Sequence, residues 1–404
     1  MISVEAAKGR ILQAVRPLPV EQVAVSQGLG RVLAEDVRAQ VTQPPVAVSA
    51  MDGYAVRAAD VATVPVTLGV AGAVPAGGVH EAPLQPGQAV RIFTGAPVPA
   101  GADAIVIQED TEASPGKVLV KEAARPGQFV RPAGLDFKVG DIGIRAGRRL
   151  TARDVGLAAA MNNPWLRVRR RPRVAILATG DEVVMPGTAI GRSQIVCSNG
   201  LSLAAAIQAA GGEPIDLGIA PDNREALLAM AAGARGADML VTTGGASVGE
   251  HDLVQAVLGE AGLEVDFWKI AMRPGKPLIF GQIGGVPMLG LPGNPVSTLV
   301  CATIFLLPAL EKMQGLDADQ APTRYATLAK ALPANDRRQD YLRATLAHGP
   351  DGALLATVFG KQDSSMLATL AHADCLVVRA PLAPPANAGD RVEIVPFPGG
   401  TGGV

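Results

Sequence analysis

Leu240-Val-Thr-Thr-Gly-Gly-Ala-Ser-Val-Gly-Glu-His-Asp252 is the stretch that decides the fold of this chain. An apolar run ends in two threonines and two glycines, and an amphipathic segment with an acidic start follows. This order predicts a buried strand, a glycine-rich turn and a helix. Glycines let backbone N–H groups approach an anion closely, and a helix N-terminus adds partial positive charge. The stretch matches neither the G-x-G-x-x-G pattern nor a P-loop, which excludes those two nucleotide-binding motifs.

Strands and helices alternate from Arg173 to about Leu316, on both sides of this stretch. Asp222 is expected to cap one of the helices, a strand is expected over 265–271, and Pro295 begins a long apolar helix. The alternation predicts a doubly wound α/β domain with a largely parallel sheet. Ligands of such folds bind beyond the carboxyl ends of the strands. The notable residues at or just beyond predicted strand ends are Asp181, Glu182, Asp222, Gly244 and Asp252.

Two flanking regions have the short alternating runs that are typical of β structure. One of them, residues 41–140, lacks helical periodicity and interrupts a helical N-terminal region. The other contains three candidate strands, Tyr341–Leu346, Leu354–Val358 and Cys375–Arg379. We therefore predict four domains: a discontinuous N-terminal helical domain (1–40 and 141–172), an inserted β-rich domain (41–140), the α/β domain (173–318) and a C-terminal β-barrel-like domain (319–404).

Composition restricts the class of protein. The 404 residues include 36 Lys and Arg against 37 Asp and Glu, so there is no basic field of the kind that nucleic-acid binding demands. An amphipathic helix beginning near Ser3 is not a signal peptide, and the apolar run Val296–Leu310 is too short to span a bilayer. Three cysteines without a C-x-x-C pattern fit a reducing compartment. We expect a soluble cytoplasmic protein with no nucleic-acid or membrane partner.

Three further segments carry candidate chemistry, each with a structural alternative. Asp52 belongs to an Asp-Gly pair, which on chemistry alone is first a turn signal. Lys269, Arg273 and Lys276 lie around a Pro-Gly turn and suit an oxyanion, although a solvated rim explains them equally well. Residues 289–297 combine a strand, a stiff turn and a helix with proline at its first position, which forms a second potential anion site.

Six motifs occur in one order along the chain. They are Ser-Ala-Met-Asp-Gly-Tyr-Ala from Ser49, Thr-Gly-Ala-Pro-Val-Pro-Ala-Gly-Ala-Asp from Thr94, Ala-Thr-Gly-Asp-Glu from Ala178, Thr-Gly-Gly-Ala-Ser-Val-Gly-Glu-His-Asp from Thr243, Pro-Gly-Lys-Pro from Pro274 and Gly-Leu-Pro-Gly-Asn-Pro-Val-Ser from Gly290. Together they resemble the molybdopterin molybdenumtransferases, the molybdenum insertases that include the insertase domain of gephyrin. The resemblance covers nearly the whole chain.

The resemblance implies a four-domain elongated homodimer that dimerises through its N-terminal domain and binds molybdopterin on its α/β domain. The family's active cleft lies between the β-rich domain of one subunit and the α/β domain of the other. The implied reaction is the Mg²⁺-dependent insertion of molybdate into adenylylated molybdopterin with release of AMP. Implied partners are the upstream adenylyltransferase and the downstream acceptors of the cofactor. The alternatives are the adenylyltransferase of the preceding step and a non-catalytic pterin-binding scaffold.

The resemblance also implies which residues form the site. The implied catalytic carboxylates are Asp52, Asp136, Glu182, Asp222 and Asp252. The candidate Mg²⁺ ligands are Glu182, Asp222 and Asp252. The implied substrate-binding residues are Thr94, Gly244, Gly245, Ser247, Lys269, Arg273, Lys276, Pro292, Asn294, Pro295, Ser297 and Ser364.

Two positions depart from the family pattern. Lysine is the commoner residue at the place of Arg273, and Gly134-Leu135-Asp136 stands where the family usually has Gly-Glu-Asp. Residue 135 therefore supplies no carboxylate. The sequence leaves open which carboxylate holds Mg²⁺ and which orients water.

Overall fold

The computed structural model describes residues 1–75, 77–244, 253–260, 262–317, 323–349 and 352–397, without the side chains of 253–255. The chain divides into two units. The larger unit comprises Met1–Glu21, Gly30–Ala34 and Val168–Val404, and the smaller unit comprises Gln22–Leu29 and Glu35–Arg167. The finer division into four domains stays a prediction.

The first helix, α1 (Val4–Ala14), belongs to the larger unit. The Ser3 hydroxyl caps it by accepting the N–H of Ala6 at 3.1 Å, which confirms the predicted helix start. Its apolar face, including Ala7 and Ile11, is buried in the core of the α/β sheet. The chain then enters the smaller unit along β1 (Val20–Ala24).

The smaller unit is built around a six-stranded sheet with the order β7-β4-β6-β5-β9-β8. Within this described sheet the pairings are antiparallel, as expected of a β-rich module made of hairpins and short connections, except that β5 and β6 run parallel to each other. Its core consists of small and branched side chains, among them Val56, Leu68 and Val106. The elements are β2 (Val37–Arg38), β3 (Val48–Ser49), β4 (Gly53–Val56), β5 (Val66–Val74), β6 (Gln88–Ile92), β7 (Ala104–Ile107), β8 (Thr111–Ser114), β9 (Lys117–Val120), β10 (Val130–Arg131), β11 (Ile142–Ile144) and α2 (Ala152–Ala160).

The chain returns to the larger unit along β12 (Trp165–Arg169) and forms the predicted alternation of strands and helices. A π-helical turn over Ala302–Leu306 joins the last two helices of this part. The elements are β13 (Arg173–Thr179), β14 (Val183–Val184), β15 (Ile195–Val196), α3 (Asn199–Ala209), β16 (Glu213–Ala220), α4 (Arg224–Ala231), β17 (Met239–Thr243), α5 (Leu253–Glu260), β18 (Leu263–Phe267), β19 (Met272–Arg273), β20 (Ile279–Ile283), β21 (Val286–Leu291), α6 (Pro295–Cys301) and α7 (Leu307–Met313).

The α/β sheet has the order β16-β13-β17-β21-β20-β18, and its first four strands are parallel. The antiparallel strand β20 adds a mixed edge to the predicted parallel sheet. After β13 the chain moves to β16 on one side, whereas β17 lies on the other side. This reversal of strand order makes the carboxyl end of β13 and β17 the switch point where such folds bind ligands.

The long apolar helix Pro295–Met313 is a core element. By length and composition alone this stretch of 19 residues could cross a membrane, yet 67% of an 18-residue window in it is buried inside the fold. Val300, Phe305 and Leu310 pack into the same core as α1. This burial confirms the predicted buried helix.

The C-terminal strands close into a barrel. The pairings run β23-β24-β22-β26-β25 and return from β25 to β23. β19 adds to this barrel alongside β23. The strand predicted over 265–271 is present as β18 (Leu263–Phe267), and its predicted end was wrong by four residues. The elements are β22 (Arg324–Leu328), β23 (Gln339–His348), β24 (Leu354–Val358), α8 (Leu367–Ala371), β25 (Cys375–Arg379) and β26 (Arg391–Pro396).

Candidate functional site

Asp52 lies directly before β4, opposite the chain that follows β6. The antiparallel register pairs Gly53 with Ile92, which directs Asp52 toward Thr94. One carboxylate oxygen, Oδ1, accepts hydrogen bonds from both the hydroxyl and the N–H of Thr94, each at 2.7 Å. These two bonds, with a smaller contribution from the charge of Arg91, lower the pKa of Asp52. The carboxylate is therefore held ionised and in a fixed orientation.

The glycine after Asp52 is required by the packing of the sheet. A Cβ atom at Gly53 would lie 2.0 Å from the carbonyl oxygen of Val106 on β7. The Asp-Gly pair thus has a structural role, and the catalytic role of Asp52 stays a prediction. Gly53 allows the close approach of β7, and Asp52 presents a carboxylate at the strand end.

Asp136 lies away from Asp52, relative to the two-stranded pair of β3 and β10 in the smaller unit. β3 and β10 run antiparallel, and the chain reaches Asp52 beyond the end of β3 and Asp136 beyond the end of β10. The two aspartates therefore lie past opposite ends of this ladder. The N–H of Asp136 donates to the carbonyl oxygen of Gln43 at 3.0 Å, and its side chain is exposed. The neighbouring Leu135 is also exposed, at 59%.

The larger unit gathers three carboxylates at the carboxyl ends of two neighbouring parallel strands. Asp181 and Glu182 follow β13, Asp222 follows β16, and the register pairs the last residues of these strands, Thr179 and Ala220. The N–H of Asp222 donates to Oδ1 of Asp181 at 2.9 Å. Partial desolvation, and then the charges of Asp181 and Glu182, raise the pKa of Asp222. A cation bound here would relieve that repulsion.

Asp222 is not the cap of α4. The N-cap residue is Asn223, whose side-chain oxygen accepts the N–H of Ala226 at 2.8 Å. The predicted cap was wrong by one residue, because Asn223 holds the extended backbone conformation next to the first helical residue. Among the described residues, none donates a hydrogen bond to the carboxylate of Asp222, so this group stays available to a ligand.

Gly244 lies where β13, β17 and β21 end together. Its φ is +94°, and a Cβ atom would lie 2.5 Å from the carbonyl oxygen of Thr179. The side-chain amide of Asn199 donates to the Thr243 hydroxyl at 2.9 Å and to the carbonyl oxygen of Gly293 at 2.7 Å. Asn199 thereby ties the end of β17 to the turn after β21. It was absent from the predicted site.

The start of α6 meets a loop of the barrel. Asn294 is the N-cap residue and Pro295 the first helical residue, as predicted. The Asn294 amide donates to the Ser364 hydroxyl at 3.1 Å, and the N–H of Val296 donates to the Ser364 carbonyl oxygen at 3.2 Å. Five predicted substrate-binding residues lie in these two segments: Pro292, Asn294, Pro295, Ser297 and Ser364.

Arg343 holds the loop that carries Ser364. Its side chain is 1% exposed, and Nη1 donates to the carbonyl oxygen of Met366 at 3.1 Å. The side chain of Gln362 accepts from the N–H and Nε of Arg343 at 3.0 and 3.2 Å. Burial lowers the pKa of Arg343. This residue was also missed, since nothing in the local sequence distinguishes a buried arginine from an exposed one.

Arg273 is engaged by two acidic residues of the barrel. Nε donates to Asp340 Oδ1 at 2.9 Å, Nη2 contacts the other oxygen of Asp340, and Nη1 lies 3.4 Å from Asp336 Oδ2. The hydrogen bonds with Asp340 raise the pKa of Arg273. The fork of the guanidinium therefore has a structural partner, and the anion-binding role of Arg273 stays a prediction.

The two lysines of the same segment lie differently. Lys269 Nζ lies 3.5 Å from the centroid of the Trp268 ring, a cation–π contact. Lys276 is exposed, and its carbonyl oxygen accepts the N–H of Ile270 at 3.0 Å. Both ammonium groups can meet an anion from solvent.

Three predicted site residues, Gly245, Ser247 and Asp252, lie outside the described residues. Within the part of the chain that is described, no three or more His, Cys, Asp or Glu side chains are grouped to hold a metal ion. The proposed triad of Glu182, Asp222 and Asp252 therefore stays a prediction.

Family models and curated relatives match most of the chain. Three family models match in order: the MoeA N-terminal region (domain I and II) at residues 2–162, a probable molybdopterin binding domain at 175–312, and the MoeA C-terminal region (domain IV) at 325–397. The molybdopterin molybdenumtransferase of Haemophilus influenzae is 34% identical over 401 residues, which cover 98% of this chain and 99% of that protein. The chain belongs to the molybdopterin molybdenumtransferase family.

Solved structures agree with this molybdopterin molybdenumtransferase fold. One molybdopterin biosynthesis moeA protein of Pyrococcus horikoshii is 34% identical with a TM-score of 0.85, covering 99% of this chain and 100% of that one. A second from the same organism is 26% identical with a TM-score of 0.83, covering 98% and 100%. The predicted fold class, an α/β domain with β-rich modules, is thereby confirmed. As a molybdopterin molybdenumtransferase, the chain is a transferase with a role in molybdenum cofactor biosynthesis.

Proposed function

We propose that this protein inserts molybdenum from molybdate into adenylylated molybdopterin and releases AMP in a Mg²⁺-dependent step. The observation that carries the proposal is the group of Asp181, Glu182 and Asp222 at the carboxyl ends of β13 and β16 in the α/β sheet. The pKa of Asp222 is raised there by partial desolvation and by the two neighbouring carboxylates. Such a surface favours a cation that in turn binds phosphate oxygens.

The carboxylates of this edge fit Mg²⁺ by their chemistry. Mg²⁺ prefers oxygen ligands, and it is usually held by one or two carboxylates together with water and substrate phosphates. Glu182 and Asp222 supply two carboxylates on adjacent strand ends, so the lack of a larger described cluster does not conflict with this mode. When bound, Mg²⁺ would neutralise charge on the adenylate phosphates.

The protein's own groups have separate tasks in this reaction. AMP release breaks the bond between the adenylate phosphorus and the oxygen that joins it to the pterin phosphate. An oxygen of water takes that place on phosphorus, and the pterin phosphate leaves with the bonding electron pair. The ammonium groups of Lys269 and Lys276 would balance the charge of molybdate or phosphate. Asp52, ionised and held by Thr94 through Oδ1, would use Oδ2 to orient an O–H group of water or substrate.

The decisive experiment is anaerobic incubation of the purified protein with adenylylated molybdopterin, molybdate and Mg²⁺, followed by chromatography of released AMP. The proposal expects AMP to appear only when all three are present. ATP consumption with unmodified molybdopterin would instead indicate an adenylyltransferase. Tight pterin binding without any AMP would indicate a scaffold. Asp222→Asn is the matched test of the carboxyl edge, with Asp216→Asn on the same strand β16 as its control.

The proposal includes a homodimer in the cytoplasm. The resemblance implies that one subunit supplies Asp52 and the other supplies Asp222 to the same reaction. Asp52→Ala and Asp222→Ala proteins should then be inactive alone, whereas co-refolding in equal amounts should restore roughly a quarter of the wild-type activity by two-fold arithmetic. Inactive mixtures that contain proven mixed dimers would show that both residues act within one chain. The buried free thiols of Cys197, Cys301 and Cys375 support a reducing compartment, and fractionation of cells tests the location.

Partners remain part of the proposal. The substrate chemistry requires an upstream adenylyltransferase and a downstream acceptor of the finished cofactor. Copurification with either enzyme, at physiological salt, would support direct transfer. Reconstitution that proceeds equally well through a dialysis membrane would show that free diffusion is enough.

A further inference from the structure

Arg91 lies on β6 and crosses the ends of three strands beside Asp52. The register places it directly opposite Tyr54 on β4. Its Nη1 donates to the carbonyl oxygen of Gly53 at 3.1 Å, and its Nη2 donates to Oε1 of Gln108, just after β7, at 2.6 Å. One planar guanidinium thus connects β6, β4 and the end of β7.

Two aromatic rings make cation–π contacts with this guanidinium. Its central carbon lies 5.2 Å from the centroid of the Tyr54 ring and 4.9 Å from that of the Phe93 ring. Phe93 directly precedes Thr94, the residue that binds Asp52. A lysine could supply the charge here, but it could not donate to these two oxygens in a fixed planar fork.

Arg91 contacts the sequence neighbour of each member of the Asp52–Thr94 pair. It donates to the carbonyl oxygen of Gly53, the residue after Asp52. It also makes a cation–π contact with Phe93, the residue before Thr94. The N–H of Gln108 also donates to the carbonyl oxygen of Asp52 at 3.1 Å, so the anchor at Gln108 reaches the same turn.

We propose that Arg91 is a positioning residue that fixes the direction of the Asp52 carboxylate through the strand ends around it. The proposal assigns Arg91 no contact with substrate, and it rests on the proposed function for its effect on turnover. Its structural part concerns Asp52 and Thr94 alone. The positive charge of Arg91 also contributes to the lowered pKa of Asp52, which gives a readout that is independent of catalysis.

The test compares Arg91→Gln and Arg91→Lys with Arg57→Gln as the matched control. Arg57 follows the far end of β4, and its Nε lies 3.9 Å from Asp60. Protein carrying ¹³C-labelled aspartate is titrated by NMR, and the signal that Asp52→Asn removes is assigned to Asp52. Steady-state AMP release is measured on the same samples, and near-UV circular dichroism confirms the fold.

Arg91→Gln should raise the titration midpoint of Asp52 and lower kcat by on the order of tenfold, with a smaller change in KM, because a misdirected carboxylate impairs the reacting state more than binding. Arg91→Lys should keep the midpoint closer to the wild type yet lose much of kcat. Arg57→Gln should change neither.

These measurements test the role of Arg91 and the proposed function separately. A folded Arg91→Gln protein with an unchanged Asp52 midpoint and wild-type kcat overturns the positioning role. In a protein whose wild type releases no AMP, a midpoint raised in both Arg91→Gln and Arg91→Lys upholds the role of Arg91, because the lysine keeps the charge, and it rejects the proposed function instead. An Arg91→Lys protein with full kcat would show that charge alone is enough, which also overturns the proposal.

Discussion

Gly244→Ala tests whether the strand ends at the switch point are as closely packed as the structure shows. The residue has a φ of +94°, and an added Cβ would lie 2.5 Å from the carbonyl oxygen and 2.8 Å from the hydroxyl of Thr179. The carbonyl belongs to a strand that is hydrogen-bonded on both sides, so it cannot move away cheaply. The left-handed backbone costs an L-residue about 1–2 kcal/mol. Overpacking adds about 1–3 kcal/mol.

The matched control is Gly285→Ala, in the turn between β20 and β21. Gly285 has a φ of +80°, but nothing lies within 4 Å of its added Cβ. This change should cost only the backbone contribution, about 1–2 kcal/mol. The difference between the two variants isolates the contact with Thr179, and it should be about 1–3 kcal/mol.

Hydrogen–deuterium exchange of peptides covering β13 and β17 is the suitable assay. A chain of several modules does not unfold in two states, so a single unfolding free energy would mix contributions from other parts. Gly244→Ala should speed exchange in both strands and abolish AMP release, whereas Gly285→Ala should leave exchange there unchanged. Equal exchange in the two variants would refute the close packing at Gly244.

Three further changes test other contacts of the site. Thr94→Val removes one hydrogen-bond donor to Asp52 and should raise the pKa of that carboxyl, so the low-pH limit of activity should move to higher pH. Thr94→Ser keeps the hydroxyl and should not move this limit. An unmoved limit in the valine variant would contradict the role of an ionised Asp52 in the reaction. Arg273→Ala leaves Asp340, whose side chain is 4% exposed, without its partner. It should lower the local stability of the barrel by about 2 kcal/mol, seen as faster hydrogen–deuterium exchange in β23. The cost is less than for a fully buried pair because the guanidinium is half exposed, and unchanged exchange would show that solvent replaces the pair. Asn199→Ala breaks two hydrogen bonds and should cost about 1–3 kcal/mol, seen as faster exchange at the ends of β17 and β21, while Asn199→Asp, which lacks the donor, should do no better.

The sequence predicted those elements whose boundaries are set by local chemistry. The strands Leu354–Val358 and Cys375–Arg379 were predicted with the observed bounds, because each is a short apolar run between turn residues. The start of α1 followed from Ser3. The cap of α4 was placed one residue early because aspartate and asparagine cap equally well. Only the folded turn decides which of two neighbours takes the extended conformation.

Long-range pairings explain what the sequence did not predict about the site. Asn199 is bonded to residues 44 and 94 positions away, and Arg273 meets Asp340 across 67 positions. No periodicity encodes such distances. The motifs therefore identified which residue types gather at the strand ends. Whether each of those side chains is paired or available to a ligand depends on the long-range contacts of the fold. The guanidinium of Arg273 is paired with the carboxylate of Asp340 in the barrel. The carboxylate of Asp222 stays available to a ligand, because Asn223 rather than Asp222 caps α4. A charged residue in a motif thus becomes a candidate for chemistry only after its structural partners are known, and by that criterion Asp222 is the stronger candidate of the two.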